Sequence, residues 1–449
     1  MNKNSIIALI CTTALFAASC GSNEEEKNKQ ENAGKGDTVA TNTNQTVDLP
    51  APYATKSSTK VSNVIGWPRG KTPIAPAGFT VTKFAGGLDN PRWIYIGPNG
   101  DIFVSEASTE KNVVKQVKTI VSGKAKAGNT NGSADRIVML RDANHDGVPE
   151  VKTTFLEDLN QPFGMLILGN TFYVANTDGL LQFPYQPGQT KITGKGKKIL
   201  NLPAGGYNNH WTRNLLAGKD GKKIYVTVGS GSNAGEHGMD NEVRRANILE
   251  INPDGSGEKI YGSGLRNPQG MGFAPGTNTL WTSVNERDEL GDDLVPDFLT
   301  SVKEGGFYGW PYSYWGQHED PRLKDKQQPD LVKKAIVPDV SLGAHTASLG
   351  LAFDEKEAFP GKYKGGAFIG QHGSWNRSQL VGYRVAFVPF KNGKPTGKVE
   401  DFLTGFITGH ETDVYGRPVG VAFNTDGSLL VADDAGNTIW RVSANKEKK

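Results

Sequence analysis

Polar and apolar positions alternate in short runs along most of the chain, and the runs come in pairs. Asn90-Pro91-Arg92 leads to Trp93-Ile94-Tyr95-Ile96, the turn Gly97-Pro98-Asn99-Gly100 and a second run, Ile102-Phe103-Val104. Asn160-Gln161-Pro162-Phe163-Gly164 leads in the same way to Met165-Leu166-Ile167-Leu168 and Phe172-Tyr173-Val174, and Asn209-His210-Trp211 to Leu215-Leu216 and Ile224-Tyr225-Val226. Arg266-Asn267-Pro268-Gln269-Gly270, His345-Thr346-Ala347-Ser348 and Gly416-Arg417-Pro418 open three more pairs. Such runs, bounded by Gly, Pro, Asn and Asp, predict strands, and two runs across a short turn predict a hairpin. Six hairpins with a shared opening, spaced roughly 50–80 residues apart, predict a six-bladed β-propeller over residues 60–446. A β-sandwich assembly would leave the shared opening unexplained.

In a propeller, the loops entering the innermost strands ring one end of the central channel. The opening segments occupy that position, and their polar residues differ from one to the next: Gln161, His210, Arg266, His345 and Arg417. Different polar residues on one repeated scaffold position suit the lining of a site. The plainer reading is that each one caps its own blade.

The first residues depart from this pattern. A basic Lys3, an apolar run from Ile6 to Ala18 and then Ala17-Ala18-Ser19-Cys20 read as a lipoprotein signal peptide over 1–19, with Cys20 as the lipidated first residue of the mature chain. An ordinary signal peptide is the alternative. Residues 20–59 are polar and poor in aromatics, which predicts a disordered tether. Its acidic start, Ser22 to Glu26, reads either as a surface-export signal or as solvated linker. The expected location is the outer membrane, periplasmic or surface-facing.

Charge narrows the function classes. The 50 Lys and Arg nearly balance 47 Asp and Glu, which argues against a nucleic-acid partner. Of the only two cysteines, Cys11 lies in the signal segment and Cys20 is the lipidation site, so the mature domain has no free thiol chemistry. Seven histidines show no metalloprotease spacing, and neither a nucleophile elbow nor a Walker loop is present. An enzyme of this kind draws its reactivity from a cofactor or a metal. Two stretches offer hard oxygen ligands. Asp142, Asn144 and Asp146 alternate before Gly147, as at the start of a calcium loop, although Thr153 stands where a closing acid is expected and Glu150 comes earlier. The second stretch, Asn285 to Asp293, combines acids and amides beside a strand and includes Asp292 and Asp293.

The segment from Leu265-Arg266-Asn267-Pro268-Gln269-Gly270 to Gly305-Gly306-Phe307-Tyr308-Gly309-Trp310-Pro311 resembles sorbosone dehydrogenases and soluble quinoprotein glucose dehydrogenases. Asn285-Glu286-Arg287-Asp288, Gly343-Ala344-His345-Thr346-Ala347 and His372-Gly373-Ser374-Trp375-Asn376-Arg377 look like the sorbosone branch. The resemblance runs from about Gly78 to Val442. It implies a propeller that holds pyrroloquinoline quinone (PQQ) over calcium and oxidises sugars or related aldehydes, with a quinone or cytochrome as electron acceptor. It makes His210 the candidate base. It places Gln161, Asn233, Arg266, His345, His372, Arg377 and Arg417 around the cofactor, with Trp211 and Trp375 available to stack. It puts calcium near the backbone carbonyls of Glu286 and Arg287. Two of the glucose enzymes' arginines are replaced, by Ser232 and Tyr415, which speaks against glucose itself. A calcium-dependent, lactonase-like hydrolase and a non-catalytic, lipid-anchored carbohydrate-binding propeller remain the alternatives.

Overall fold

The computed structural model describes residues 47–109, 132–410 and 412–445. Six sheets follow one another along the chain, five of them four-stranded and antiparallel, while the third adds Gly306–Phe307 in parallel as a fifth strand. The six predicted hairpins are the first two strands of the six blades. Blade 1 begins with Pro91–Ile96 and Ile102–Glu106, blade 2 with Met165–Leu168 and Thr171–Asn176, and blade 3 with Leu215–Ala217 and Ile224–Val228. Blade 4 begins with Pro268–Phe273 and Leu280–Val284, blade 5 with Ala352–Phe353 and Ala367–Gln371, and blade 6 with Pro418–Phe423 and Leu429–Asp433. The N-terminal strand Phe79–Gly86 closes the ring as the outermost strand of blade 6, antiparallel to Thr438–Ala444. The fold is a six-bladed β-propeller.

The strand patterns follow from position within a blade. Central strands are packed on both faces by neighbouring blades, so Ile102–Glu106 and Asn247–Ile251 are buried throughout. Outer strands such as Lys197–Asn201 and Phe79–Gly86 are mostly exposed or half-buried, with one or two buried positions each. Aromatic residues fill the space between blades 1 and 2: Phe103, Phe155 and Phe172 stand with ring centroids 4.8–5.2 Å apart. Burying each such ring contributes about 1.5–3 kcal/mol relative to exposure.

Glycine recurs in the openings because adjacent blades meet there backbone to backbone. A Cβ on Gly164 would lie 2.6 Å from the amide nitrogen of Leu215, and one on Gly420 would lie 2.7 Å from the carbonyl of Arg92. The innermost strands surround a cavity of about 460 Å³ lined by Tyr95, Met165, Met271, Phe353 and Val421. It also reaches Gly97, Pro98 and Thr425, so it lies at the hairpin-turn end of the channel. The predicted site residues lie at the other end.

The tether boundary differs from expectation. Val47–Thr59, the part of the predicted tether within the described residues, is packed on the propeller. Val47 and Leu49 join the core of blade 4, and the Tyr53 amide donates to the Leu290 carbonyl at 2.8 Å. The strap then passes blade 5, where the Lys60 amide donates to the Trp375 carbonyl, and pairs Asn63–Val64 in parallel with Asp413–Val414. Its polar residues find their acceptors and donors on the loops, a pairing that composition does not reveal. Cys20 and the signal segment lie outside the described residues.

Candidate functional site at the channel mouth

His210 follows the second strand pair into the mouth and is only 8% exposed. Its Nδ1 lies 2.9 Å from both the Ser230 carbonyl and Ser230 Oγ. Ser230 Oγ donates to the Ser232 carbonyl at 2.6 Å, so it faces the imidazole as an acceptor. Two acceptors at Nδ1 place the ring proton there and leave Nε2 with its lone pair. Nε2 makes no hydrogen bond among the described residues. Burial, followed by the positive field of Arg266, holds the His210 pKa well below its ordinary value. The imidazole is therefore neutral at physiological pH and suited to accept a proton.

Beside it, four residues form one network. Arg266 donates through Nε to the Asn233 carbonyl at 3.1 Å, and through its terminal nitrogens to the carbonyls of Asn285 at 3.2 Å and Glu286 at 2.6 Å and to Asn233 Oδ1 at 2.9 Å. Asp288 stands 3.6 Å from the same guanidinium. Asn233 Oδ1 also accepts the Asp288 amide at 2.9 Å. His345 donates from Nδ1 to Asp288 at 3.1 Å and from Nε2 to the Gly291 carbonyl at 2.8 Å. Burial opposes the charge on His345, but its bonds to Asp288 and Gly291 outweigh that effect and raise its pKa. His345 is an imidazolium fixed at both nitrogens. Its φ of 62° and the φ of 47° at Gln161 put two opening residues in the left-handed region, which costs roughly 1–3 kcal/mol each and clusters at functional sites.

A second network lies on blades 1, 5 and 6. Asp434 is bonded by Arg92 and accepts from His372 Nε2 at 2.9 Å. Burial, then the field of Arg417, lowers the His372 pKa to about 4, so this imidazole is neutral with its proton on Nε2. Burial would raise the Asp434 carboxyl, but His372 and Arg92 hold it well below the usual carboxylate range. Arg417 donates to the carbonyls of His372 at 3.0 Å and Gly373 at 3.2 Å. Arg92 reaches across to the Trp211 ring, 5.8 Å from its centroid. Gln161 Nε2 donates to the Ser108 carbonyl at 2.8 Å.

Several expected ligands have other work. Arg266 is expected to hold a cofactor, yet the bonds above direct its donors into the loop it orders. Arg377 bonds the Asp292 carbonyl at 2.9 Å and Asp293 at 2.8 Å. The Asp292 carboxylate accepts the Ser378 amide at 3.1 Å and the Ser378 hydroxyl. The carboxylates of Asp292 and Asp293 are thus committed to blade 5 and do not converge with Glu286, a correction to their expected role as metal ligands. The Arg287 side chain is buried in bonds to Glu286 at 2.9 Å and Asp320 at 3.1 Å, which leaves only its carbonyl for a metal. Among the described residues, one group of acids has cation-ligand spacing, Asp142, Asp146 and Glu150. Asn144 lies with them, since its Oδ1 accepts the Asp146 amide at 2.8 Å. This group is on an outer loop of blade 1, away from the mouth. At the position of a replaced arginine, the Tyr415 hydroxyl bonds Lys71 Nζ at 2.9 Å.

The sequence reading passed over Arg92, Asp288, Ser230 and Asp434. Arg92 stands in the first shared opening, and Asp434 directly follows the second strand of the last blade, so position in the repeat was the available signal. Several buried polar atoms at the mouth fit an anionic, carbonyl-bearing guest and a hard cation. Arg92 Nε, Ser108 Oγ and Asn176 Oδ1 have no partner among the described residues, and neither does Glu286 Oε1. Buried groups of this kind are rare without a ligand or water.

The TrAA12-like family matches residues 73–445. An uncharacterized protein of Borreliella burgdorferi is 28% identical over 83% of this chain and 90% of its own length. Quinoprotein glucose dehydrogenase B of Acinetobacter calcoaceticus is 26% identical over 59% of this chain and 63% of its own. Among solved structures, the calcium form of the Trichoderma reesei family AA12 enzyme aligns with a TM-score of 0.64 at 20% identity, covering 83% of this chain and 97% of that one. The holo pyranose dehydrogenase PQQ domain of Coprinopsis cinerea also aligns at 0.64, with 18% identity over 85% of this chain and 100% of that one.

Proposed function

The chain belongs to the TrAA12-like family, and on that premise we propose that it is a PQQ- and calcium-dependent dehydrogenase of the sorbosone type. Its substrate is a sugar or sugar-derived aldehyde. The observation that carries this reading is His210, a buried neutral imidazole with its lone pair on Nε2, set among the cationic groups of the mouth. The relatives named for a quinone and for calcium support it. When bound, PQQ supplies an electrophilic carbonyl that takes hydride, and calcium polarises it.

The protein's own groups divide the remaining work. Arg92, Arg417 and Gln161 would hold the carboxylates of the quinone, and the carbonyls of Glu286, shared with Arg266, and Arg287 would hold calcium. Arg266 and His345 order the loop bearing those carbonyls. His210 Nε2 takes the proton of the substrate hydroxyl, and Ser230 keeps the imidazole in the tautomer that permits it. Electrons leave to a quinone or cytochrome acceptor. Cys20 anchors the enzyme in the outer membrane.

Titration with PQQ, with calcium and then with a chelator, followed by quinone absorbance, tests the reading. Stoichiometric, calcium-dependent binding is expected, and no binding at micromolar quinone overturns it. His210→Ala should keep the quinone and lose about 10²–10⁴-fold in turnover. Retained turnover removes His210 from the proton transfer.

A further inference from the structure

At the root of the His210 loop, two buried arginines meet on one side-chain oxygen. Arg213 is fully buried and Arg245 is 6% exposed. Arg213 Nη2 and Arg245 Nη1 both donate to Asn208 Oδ1, at 3.2 Å and 2.6 Å. Neither guanidinium forms an ion pair among the described residues. The acid whose charge reaches Arg245 is Glu242. Its oxygens accept from the amides of Gly231 at 2.7 Å and Ser232 at 3.0 Å and from the Ser232 hydroxyl at 2.5 Å, so it serves the neighbouring loop instead. Burial, followed by the like charge of Arg245, lowers the Arg213 pKa to about 9, which still leaves it charged at neutral pH. Two like charges in a dry interior are costly unless an opposite charge joins them.

The remaining bonds show what kind of charge fits. Arg213 donates from Nη1 to the carbonyls of His210 at 2.7 Å and Thr212 at 2.9 Å, and from Nη2 to that of Pro203 at 2.8 Å. Arg245 donates from Nη2 to the Gly205 carbonyl at 3.1 Å. The pair thus gathers the segment that carries His210. The terminal nitrogens of Arg213 are fully used, and one N–H is left, at Nε. That Nε and the Nε of Arg245 are buried with no partner among the described residues. A carboxylate or phosphate is best held by a fork of two parallel N–H groups, which Arg213 no longer has. A monatomic anion needs no fork and suits so enclosed a place.

We propose that a halide, chloride being the common one, binds against the bare Nε–H groups of Arg213 and Arg245 and acts as a structural counter-ion of the His210 loop. The inference does not rest on the sugar-oxidation reading, because a protein that oxidised nothing would still carry this charge pair.

Thermal unfolding of the full chain tests it, with sodium methanesulfonate replaced stepwise by sodium chloride or bromide at constant ionic strength. The melting temperature should rise to a saturating curve, by roughly 3 °C at 100-fold excess over the dissociation constant. Arg245→Gln keeps an N–H donor at that position but removes one charge, and it should melt without halide dependence. Crystals of the unaltered chain grown in bromide give a second reading that needs no variant. Their anomalous peak should lie in hydrogen-bond contact with Nε of Arg213 or Arg245. An absent halide response, a response that survives in Arg245→Gln, or water in place of bromide against both Nε atoms overturns the site.

Discussion

The two networks at the channel mouth use the same residue types yet hold their histidines in opposite charge states. In the first, Asp288 meets His345 at 3.1 Å, while Arg266 turns mostly toward carbonyls and stands 3.6 Å from the acid. The carboxylate is therefore left to the imidazole, and His345 is charged. In the second, Arg92 bonds Asp434 directly and Arg417 lies on the carbonyls beside His372. Burial opposes the charge on His372, and Arg417 beside it and Arg92 on the acid repel a further proton, so His372 stays neutral. A His–Asp contact alone does not determine protonation; burial and the arginines nearby decide it with the acid. Around His210, the consequence is a mouth that remains cationic while the His210 imidazole remains neutral.

The strongest way to break this comparison is to remove the acid that the second network shares. Asp434→Ala leaves Arg92 buried without its carboxylate, and a broken buried pair costs about 3–5 kcal/mol. Denaturant unfolding should show a loss of that order. A loss below about 1 kcal/mol would mean that Arg92 finds another acceptor and that Asp434 does not organise this side.

Acid titration sharpens the same contrast. His372 titrates at about 4 in the fold, below its ordinary 6.5. Between these values the unfolded chain binds a proton that the folded chain does not. The contribution of His372 is therefore fully present above pH 6.5 and is lost as pH falls toward 4, by at most about 3 kcal/mol. His345 has the opposite sign, because its raised pKa gives stability that is present at low pH and lost as pH rises. His372→Gln keeps a donor for Asp434 and should flatten the acid limb of a melting-temperature profile. An unchanged limb would mean that His372 is already charged in the fold, and the two networks would then be alike.

The parts of the molecule that the sequence disclosed share a property: their signal is local. The first hairpins carry their turn and alternation close together in the chain, four of the six with an opening glycine, and the repetition of that unit yields the propeller. His210, Gln161 and Arg417 stand out in the sequence because they sit at one repeated position. What stayed hidden depends on distant partners. Nothing near Asp292 and Asp293 shows that Arg377 and Ser378 will take their carboxylates. Nothing near Arg266 shows that its donors will meet Asn233, Asn285 and Glu286. The closing pair of Phe79–Gly86 with Thr438–Ala444 joins the two ends of the domain. The strap reads as tether because its few apolar residues bury only against loops hundreds of positions away.

That strap braces both networks, and the brace can be weakened on one side at a time. On the first side, Thr55 Oγ1 accepts the Asp292 amide at 2.7 Å and Ser57 Oγ accepts the Gly291 amide at 3.1 Å. Gly291 is the residue whose carbonyl holds His345. On the second side, Trp67 Nε1 donates to Asp433 Oδ2 at 2.6 Å, next to Asp434 in the chain. Burial lifts the Asp433 carboxyl to about 6, and four donors, the amides of Arg417 and Gly436 and the indoles of Trp67 and Trp440, hold it in place. Thr55→Ala with Ser57→Ala removes two acceptors near solvent, where water replaces them, so the cost is about 1 kcal/mol or less in global stability. The effect should instead be local, as faster amide hydrogen exchange at Gly291 and Asp292 with no change at Arg417 and Gly436. Trp67→Phe should reverse that pattern, because it takes a donor from Asp433 and leaves the Gly291 loop bonded. If either variant loosened both sides equally, the strap would act as one cooperative unit and the two networks would be coupled through it; independent responses would show that each side of the mouth is held by its own stretch of the strap.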